Sequence, residues 1–156
     1  MACEFSIKDL GFLQHFLGIE VHGSTQGIFL SQTRYAFELL DRATMTLCKP
    51  ISTPMPSKGQ QLPINNDPYP NPTHYRSLVE GLQYLTFTRP GLSYSVNFVC
   101  QFMHAPTMSH YQLVKRILHY VHGTAHFRLQ ILASSTLESS NMCINTLERL
   151  DPQITT

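Results

Sequence analysis

The chain has 156 residues and a formal net charge of +1, and its charged share of 13% is about half of the globular average. That length suits one domain or two small lobes, with a surface that we expect to be poorly soluble alone. Four widely spaced cysteines suggest neither a disulfide framework nor a zinc ribbon. No apolar run is long enough to cross a bilayer, so we expect a soluble intracellular chain without a targeting signal or membrane partner.

The first predicted element is a β-hairpin. Residues 17–22, "LGIEVH", alternate apolar with small or polar side chains, and the apolar run 28–30 follows a Gly/Ser/Thr loop. Gly18 would then lie inside a strand, which indicates either a bulge or the close approach of another backbone. Ser31 is the expected cap of a helix from about Gln32 to Ala43, which has one apolar face.

The next segment, residues 49–72, contains seven prolines among polar residues. Proline removes backbone donors and breaks helices, so the segment is predicted to be an extended linker between two lobes.

Three helices are predicted after the linker. The first starts at a Thr73 cap and ends near Thr88, before the helix-breaking sequence "RPG". The second runs from Leu92 to about Ala105, and the third begins at a capping box of Ser109 with Gln112 and stops at Gly123. Their apolar positions recur at helical spacing, which predicts a three-helix lobe.

Positive charge concentrates between residues 76 and 128. This segment has five Lys or Arg residues and five histidines against a single acid, Glu80. On the third helix Lys115, His119 and His122 recur at i, i+4 and i+7 with Arg116 beside them, on the face opposite the apolar one. A polyanion such as a phosphate backbone is the natural partner of such a face.

Other constellations are weaker. The histidines and Cys100 have spacings that a metal could use, but no carboxylate or second thiol completes a zinc set, so no metal site is predicted. Tyr84, Phe87 and Tyr94 could stack on bases, although aromatic residues at helical spacing usually belong to a core.

Four sequence blocks together resemble the reverse transcriptase of copia-type LTR retrotransposons. They are "IKDLGFLQHFLGIEV", "GIFLSQTRYAFELL", "YRSLVEGLQYLTFTRP" and "QFMHAPTMSHYQLVKRILHYVHGT", and the resemblance spans about residues 5–132. It implies the C-terminal part of that polymerase in a Pol polyprotein, namely the end of the palm and the thumb or connection. "FLGIEV" then looks like the hairpin that grips the primer strand, and RNA or DNA template–primer is the implied partner, together with the missing palm, fingers and ribonuclease H parts. The nucleic-acid-binding residues that follow from the resemblance and the charge pattern are Leu17, Gly18, Glu20, Arg76, Arg89, Lys115, Arg116 and His119.

Catalysis by this chain alone is not expected. Magnesium-dependent phosphoryl transfer needs clustered carboxylates, and none of the ten acids is adjacent to another. The family's Asp-Asp turn would precede Met1, so Mg²⁺ belongs to the full-length enzyme and no cofactor is expected here. Two departures look like unselected drift: Glu80-Gly81 stands where the family usually has Gly-Ala, and Gly91 stands where it has aspartate.

The resulting fold prediction is α+β. Residues 1–48 form a primer-grip-like hairpin and helix, 49–72 a Pro-rich linker and 73–132 a thumb- or connection-like lobe, whereas 133–156 are a divergent, disordered tail without a partner strand. The leading function is a non-catalytic grip on template–primer. The alternatives are a decayed transposon remnant without selected activity and a host-adopted protein-interaction module.

Overall fold

A computed structural model describes residues 14–25, 27–56, 65–132 and a strand at 144–148. These residues have an α+β fold, as predicted. The strands are β1 (His15–Phe16), β2 (Ile19–Ser24), β3 (Gly27–Ser31), β4 (Arg128–Leu132) and β5 (Ile144–Glu148), and the helices are α1 (Thr33–Arg42), α2 (Pro72–Leu85), α3 (Ser93–Cys100) and α4 (Met108–Gly123).

The strands form one antiparallel sheet in the order β1-β2-β3-β4-β5. The predicted hairpin is confirmed as β2 and β3, which pair from Glu20 with Ser31 to Ser24 with Gly27. β4 follows α4 and pairs with β3, so it joins the hairpin to the end of the helical region. The sequence did not predict β4, although Leu129 and Ile131 alternate with polar neighbours in it.

The prediction that Gly18 lies inside a strand is wrong. His15 pairs with Glu20 and Phe16 with Ile19, so Leu17 and Gly18 form a two-residue turn between β1 and β2. Both turn residues have positive φ, 48° for Leu17 and 76° for Gly18. Two-residue hairpin turns need such left-handed conformations, and glycine adopts them without a steric penalty.

α1, α2 and α4 lie close to their predicted positions, and α4 ends at Gly123 as predicted, whereas α3 ends at Cys100 instead of near Ala105. The predicted N-terminal caps of α1, α2 and α4 are wrong. Ser31 does not cap α1, because its hydroxyl donates to the Glu20 carboxylate at 2.7 Å. Asn71 rather than Thr73 caps α2, because Pro72 already occupies the first helical position. The capping box of α4 is Thr107 with His110, two residues before the predicted pair Ser109 and Gln112.

All four helices share one hydrophobic core. α1 contributes Leu39 and Leu40 to the same buried cluster as α2, α3 and α4, so the predicted three-helix lobe is a four-helix core. Gly81 lies where α2 meets α1. A Cβ there would be 2.5 Å from Leu39 Cδ1, so the close packing of the two helices favours glycine at this position. Fully buried members of the core are Ala36, Leu39, Leu40, Tyr75, Val79, Leu82, Leu85, Val96, Val99, Val114, Ile117, Leu118 and Val121.

The described parts of the Pro-rich linker, residues 49–56 and 65–71, contain no helix or strand, although Pro68 bridges to Thr107. The linker is packed rather than free: Pro50 lies so close to Gly123 that a Cβ at Gly123 would be 2.8 Å from Pro50 Cβ. The division into lobes at this linker stays a prediction.

The tail contains a strand, contrary to prediction. β5 pairs with β4, with Ile144 opposite Ile131 and Asn145 opposite Gln130. The edge of β4 offers backbone hydrogen bonds to any extended segment, and such pairing does not require apolar periodicity in the added strand. The remaining residues of 133–156 lie outside the described part. Among the described residues, no helix has the length and apolar character to cross a membrane.

Candidate nucleic-acid interface

The turn of the first hairpin projects an exposed apolar side chain. Leu17 is 74% exposed and neighbouring Phe16 is 56% exposed. Gly18 faces α2, since a Cβ at Gly18 would lie 3.4 Å from the Tyr84 hydroxyl. Glu20 is held on the sheet by the hydroxyl of Ser31 and lies 3.9 Å from His22 Nε2. The turn is therefore fixed from both sides while its tip stays accessible.

Aromatic side chains of α1 and α2 lie beside this turn. The Tyr84 ring contacts the rings of Tyr35 at 4.8 Å and Phe87 at 5.8 Å, both edge-to-face. The Arg42 guanidinium lies 5.6 Å from the Tyr35 ring and donates to the Tyr35 hydroxyl at 3.2 Å. We call Tyr35, Arg42, Tyr84 and Phe87 the turn-side cluster. Aromatic faces and an arginine are the groups on which nucleic-acid bases and sugars stack.

The expectation that the aromatic residues of this region belong to the core is wrong for two of them. Phe87 is 67% exposed and Tyr94 is 75% exposed. Phe87 lies in the turn after α2, outside the helical period. Tyr94 lies in α3 on the face opposite the buried Ser95, Val96 and Val99, so the helical period points it outward.

The cationic face of α4 is partly covered. The Arg116 guanidinium donates to Thr53 Oγ1 at 2.9 Å, and the His119 Nδ1–H donates to the carbonyl of Lys49 at 2.7 Å. Residues 49–53 therefore pack on the part of this face that carries Arg116 and His119. Lys115 has its ammonium 5.0 Å from the centre of the Tyr111 ring. A shallow groove remains open beside the covered part, lined by Thr44, Met45, Thr46, Leu47, Cys48, Lys115 and His119.

The two remaining predicted contact residues behave differently. Arg76 is exposed, and its Nε donates to the carbonyl of Met103 at 3.1 Å. Arg89 is only 2% exposed and donates to the carbonyl of Ala125 at 2.6 Å. A side chain so deeply buried does not reach a phosphate backbone, so the assignment of Arg89 to the interface is wrong.

The structure thus brings the predicted residues into two groups: Leu17, Gly18 and Glu20 beside the turn-side cluster, and Lys115, Arg116 and His119 beside residues 44–53. Sequence reasoning missed Tyr35 and Arg42, whose spacing of seven residues puts them on one face of α1 and was the available signal. Within the described residues, no three His, Cys, Asp or Glu side chains are close enough together to hold a metal ion.

Comparison with known proteins gives a consistent picture. Residues 1–57 match a family model described as reverse transcriptase (RNA-dependent DNA polymerase). An uncharacterized mitochondrial protein of Arabidopsis thaliana is 47% identical over 143 residues, which are 92% of this chain and 59% of that protein. A match of this length extends past residue 132, so the tail predicted to be divergent is partly shared with that protein.

Transposon polyproteins match as well. The retrovirus-related Pol polyprotein from transposon RE2 of Arabidopsis thaliana is 44% identical over 133 residues, 85% of this chain and 9% of the polyprotein. The corresponding polyprotein from transposon TNT 1-94 of Nicotiana tabacum is 33% identical over 129 residues, 77% of this chain and 10% of the polyprotein. The chain therefore spans little of these polyproteins and less than two thirds of the mitochondrial protein. No solved structure matches it.

Proposed function

We propose that this chain, which is similar to a part of the Pol polyproteins of copia-type transposons and to the reverse transcriptase family, grips template–primer nucleic acid without catalysing polymerisation. The observation that carries the proposal is the β1–β2 turn. Leu17 there combines a left-handed backbone with 74% exposure.

The left-handed conformation of Leu17 costs free energy, and the exposed side chain recovers little of it by packing. A left-handed residue other than glycine costs roughly 1–2 kcal/mol, and Asn or Gly at this position would avoid much of that cost. Strained residues that persist on a surface are commonly part of a ligand contact. A leucine tip beside the aromatic rings of the turn-side cluster suits the sugar and base edges of a nucleic-acid strand, and Arg42 suits its phosphates.

The groove beside α4 supplies a second contact in this proposal. The Lys115 ammonium is held next to Tyr111 without a carboxylate among its described contacts, and His119 lines the same groove. Such a cation contributes electrostatic affinity that is independent of sequence.

Catalysis is assigned elsewhere in the polyprotein. The ten acidic residues include no adjacent pair, and magnesium-dependent polymerisation needs carboxylates gathered around the metal. The parts of the polyprotein outside this chain are the proposed partners that supply these carboxylates and the Mg²⁺.

The binding part of the proposal is tested by fluorescence anisotropy of the full chain with a labelled RNA–DNA template–primer, across a series of salt concentrations. Binding is expected to be weak, independent of sequence and strongly salt-dependent. Lys115→Ala should reduce the log–log salt slope by about 0.7–0.9. Arg34→Ala removes an equal charge from a side chain that is 86% exposed and paired with Glu38, and it should leave the slope unchanged. Equal slopes for the wild type and the Lys115 variant would contradict the groove as a contact surface.

The catalytic part is tested by templated nucleotide incorporation with Mg²⁺ or Mn²⁺. The purified chain should give no extension above a buffer control. Template-dependent extension that a chelator abolishes would overturn it.

A further inference from the structure

Arg89 is a buried cation with unused hydrogen-bond donors. It lies between α2 and the short 3₁₀ turn Pro90–Leu92, and its side chain is 2% exposed. Its Nη2 donates to the carbonyl of Ala125 at 2.6 Å. Its Nε and Nη1 have no hydrogen-bond partner among the residues that the structure describes. A guanidinium presents a fork of donors, so two of its nitrogens are left unused in a place shielded from bulk water.

A small cavity adjoins this side chain. Its lining residues are Arg89, Gly91, Leu92, Tyr120, Thr124 and Phe127. The lining contains no carboxylate, and Gly91 contributes no side chain to it. The volume of about 10 Å³ is close to what a single water-sized occupant requires.

The charge of Arg89 persists at neutral pH despite this surrounding. Burial lowers the pKa of Arg89 to about 10, partly opposed by Tyr120, so the guanidinium stays protonated near pH 7. A buried charge without a partner is strongly unfavourable, and a counter-charge placed next to it relieves that penalty.

We propose that the cavity beside Arg89 binds one small monovalent anion of about the size of chloride, held by the unused guanidinium donors. The narrow cavity excludes a bulky polyatomic anion, and its opening at the exposed Gly91 admits a single ion somewhat larger than water. The neutral lining makes Arg89 the source of selectivity for negative charge. This site is separate from the exposed turn and groove, so it does not depend on the proposed nucleic-acid contact.

The test compares full chains that differ at position 91, the cavity wall without a side chain. Gly91→Asp places a carboxylate beside Arg89, and Gly91→Asn is the matched control with the same shape and no charge. Thermal unfolding midpoints are measured in sodium chloride and in sodium gluconate of equal ionic strength, because gluconate is too large for the cavity. General salt effects act on all variants alike, so only the difference between variants reports the site.

In the wild type, chloride should raise the midpoint above its value in gluconate by roughly 5 °C and in a saturable manner, as expected for binding to the folded state alone. Gly91→Asp should raise the midpoint in gluconate by a similar amount and abolish the chloride effect, whereas Gly91→Asn should do neither. A chloride effect that is absent, does not saturate or survives in Gly91→Asp overturns the proposal, and the cavity then holds water only.

Arg89→Met removes the cation. It shows whether an aspartate at position 91 acts by pairing with Arg89 or by stabilising the N-terminus of α3, which begins two residues later. In this background Asp and Asn at position 91 should give equal midpoints to within about 1 °C, and chloride should have no effect. If Arg89→Met does not fold, the chloride dependence of the other three chains still decides. A chloride effect that persists in folded Arg89→Met would show that the anion binds elsewhere and overturns the proposal.

Discussion

Leu17 shows how a single residue can depart from what its local structure favours. Its φ of 48° belongs to a conformation in which asparagine and glycine are much commoner than leucine. The alternation of apolar and polar residues at 17–22 predicted a strand, because such alternation carries no information about the sign of φ. The turn is defined only by the pairing of Phe16 with Ile19. The position of a two-residue turn is therefore hard to predict when its first residue is atypical.

Leu17→Asn should raise the free energy of unfolding by about 0.5–1 kcal/mol, because asparagine tolerates the left-handed conformation better. The same substitution should weaken binding of template–primer, because the apolar tip is lost. Urea unfolding and fluorescence anisotropy measure the two effects. Leu47→Asn is the matched control: Leu47 is 97% exposed and does not have positive φ, so its replacement should change stability little. Equal stability changes at the two positions would contradict strain at Leu17.

At the scale of elements, apolar periodicity predicted α1, α2 and α4 to within a few residues and the presence of α3, whose end it placed five residues too late, but it predicted none of the N-terminal caps. The apolar stripes of α2 and α4 are long, so several residues at helical spacing together define the position of each helix. A cap depends on one side chain, and several polar residues compete near each helix start, as Thr107, Ser109 and Gln112 do at α4. β4 and β5 have five residues each, too few for a distinctive period.

At Gly27 the backbones of β3 and β4 approach too closely for a side chain. The φ of Gly27 is 150°, and a Cβ there would collide with the carbonyl of Ile131 on β4. Since the obstacle is backbone, Gly27→Ala should lower the free energy of unfolding by about 2 kcal/mol or more. Gly23→Ala is the matched control on the facing strand, because nothing lies within 4 Å of its would-be Cβ. Urea unfolding of both variants measures the difference, and equal losses would contradict the β3–β4 pairing.

The capping box of α4 predicts a pH dependence. His110 Nδ1 accepts from the backbone N–H of Thr107 at 3.0 Å, and burial lowers the pKa of His110 below its ordinary value of 6.5. The unfolded chain therefore binds the proton more readily, so this contribution to stability is complete above about pH 6.5 and is lost as pH falls below it. Protonation also removes the acceptor that completes the cap.

Thermal unfolding midpoints at pH 7.5 and pH 5 should accordingly differ less in His110→Gln than in the wild type, since glutamine fills the same capping position without titrating. His104→Gln is the control, because His104 is exposed and lies outside the capping box. This variant should keep the wild-type difference between the two midpoints. An unchanged pH dependence in His110→Gln would show that the capping box does not titrate.

At the scale of the molecule, one core joins the part before the Pro-rich linker to the part after it. Leu39 on α1 is fully buried against helices that follow the linker. The sequence predicts a lobe boundary at the linker because prolines interrupt regular structure, and that boundary stays a prediction. An irregular segment can still pack, as residues 49–53 do on α4. Charge could likewise be counted from the sequence, whereas the burial of Arg89 and the covering of Arg116 depend on tertiary packing.

Leu39→Ala should therefore destabilise the whole chain by about 2–5 kcal/mol in a single transition. Hydrogen exchange measured by mass spectrometry should show α1 and α4 losing protection together. Glu38→Ala on the exposed side of α1 should have little effect, because surface ion pairs such as that with Arg34 contribute little. Loss of protection confined to α1 would favour two independent lobes.

The pairing of β3 with β4 also bears on synthesis of the chain. β3 and β4 are adjacent in the sheet, yet the whole segment 32–127 separates them in the chain. A ribosome must therefore finish all four helices before the edge of β3 finds its partner, and contacts of such sequence separation slow folding. Until then the strand presents unpaired backbone groups with the apolar side chains of Ile28, Phe29 and Leu30, which is the state most exposed to association with other nascent chains. The yield of folded protein should thus depend on translation rate and chaperone supply more than the stability of the finished core would suggest.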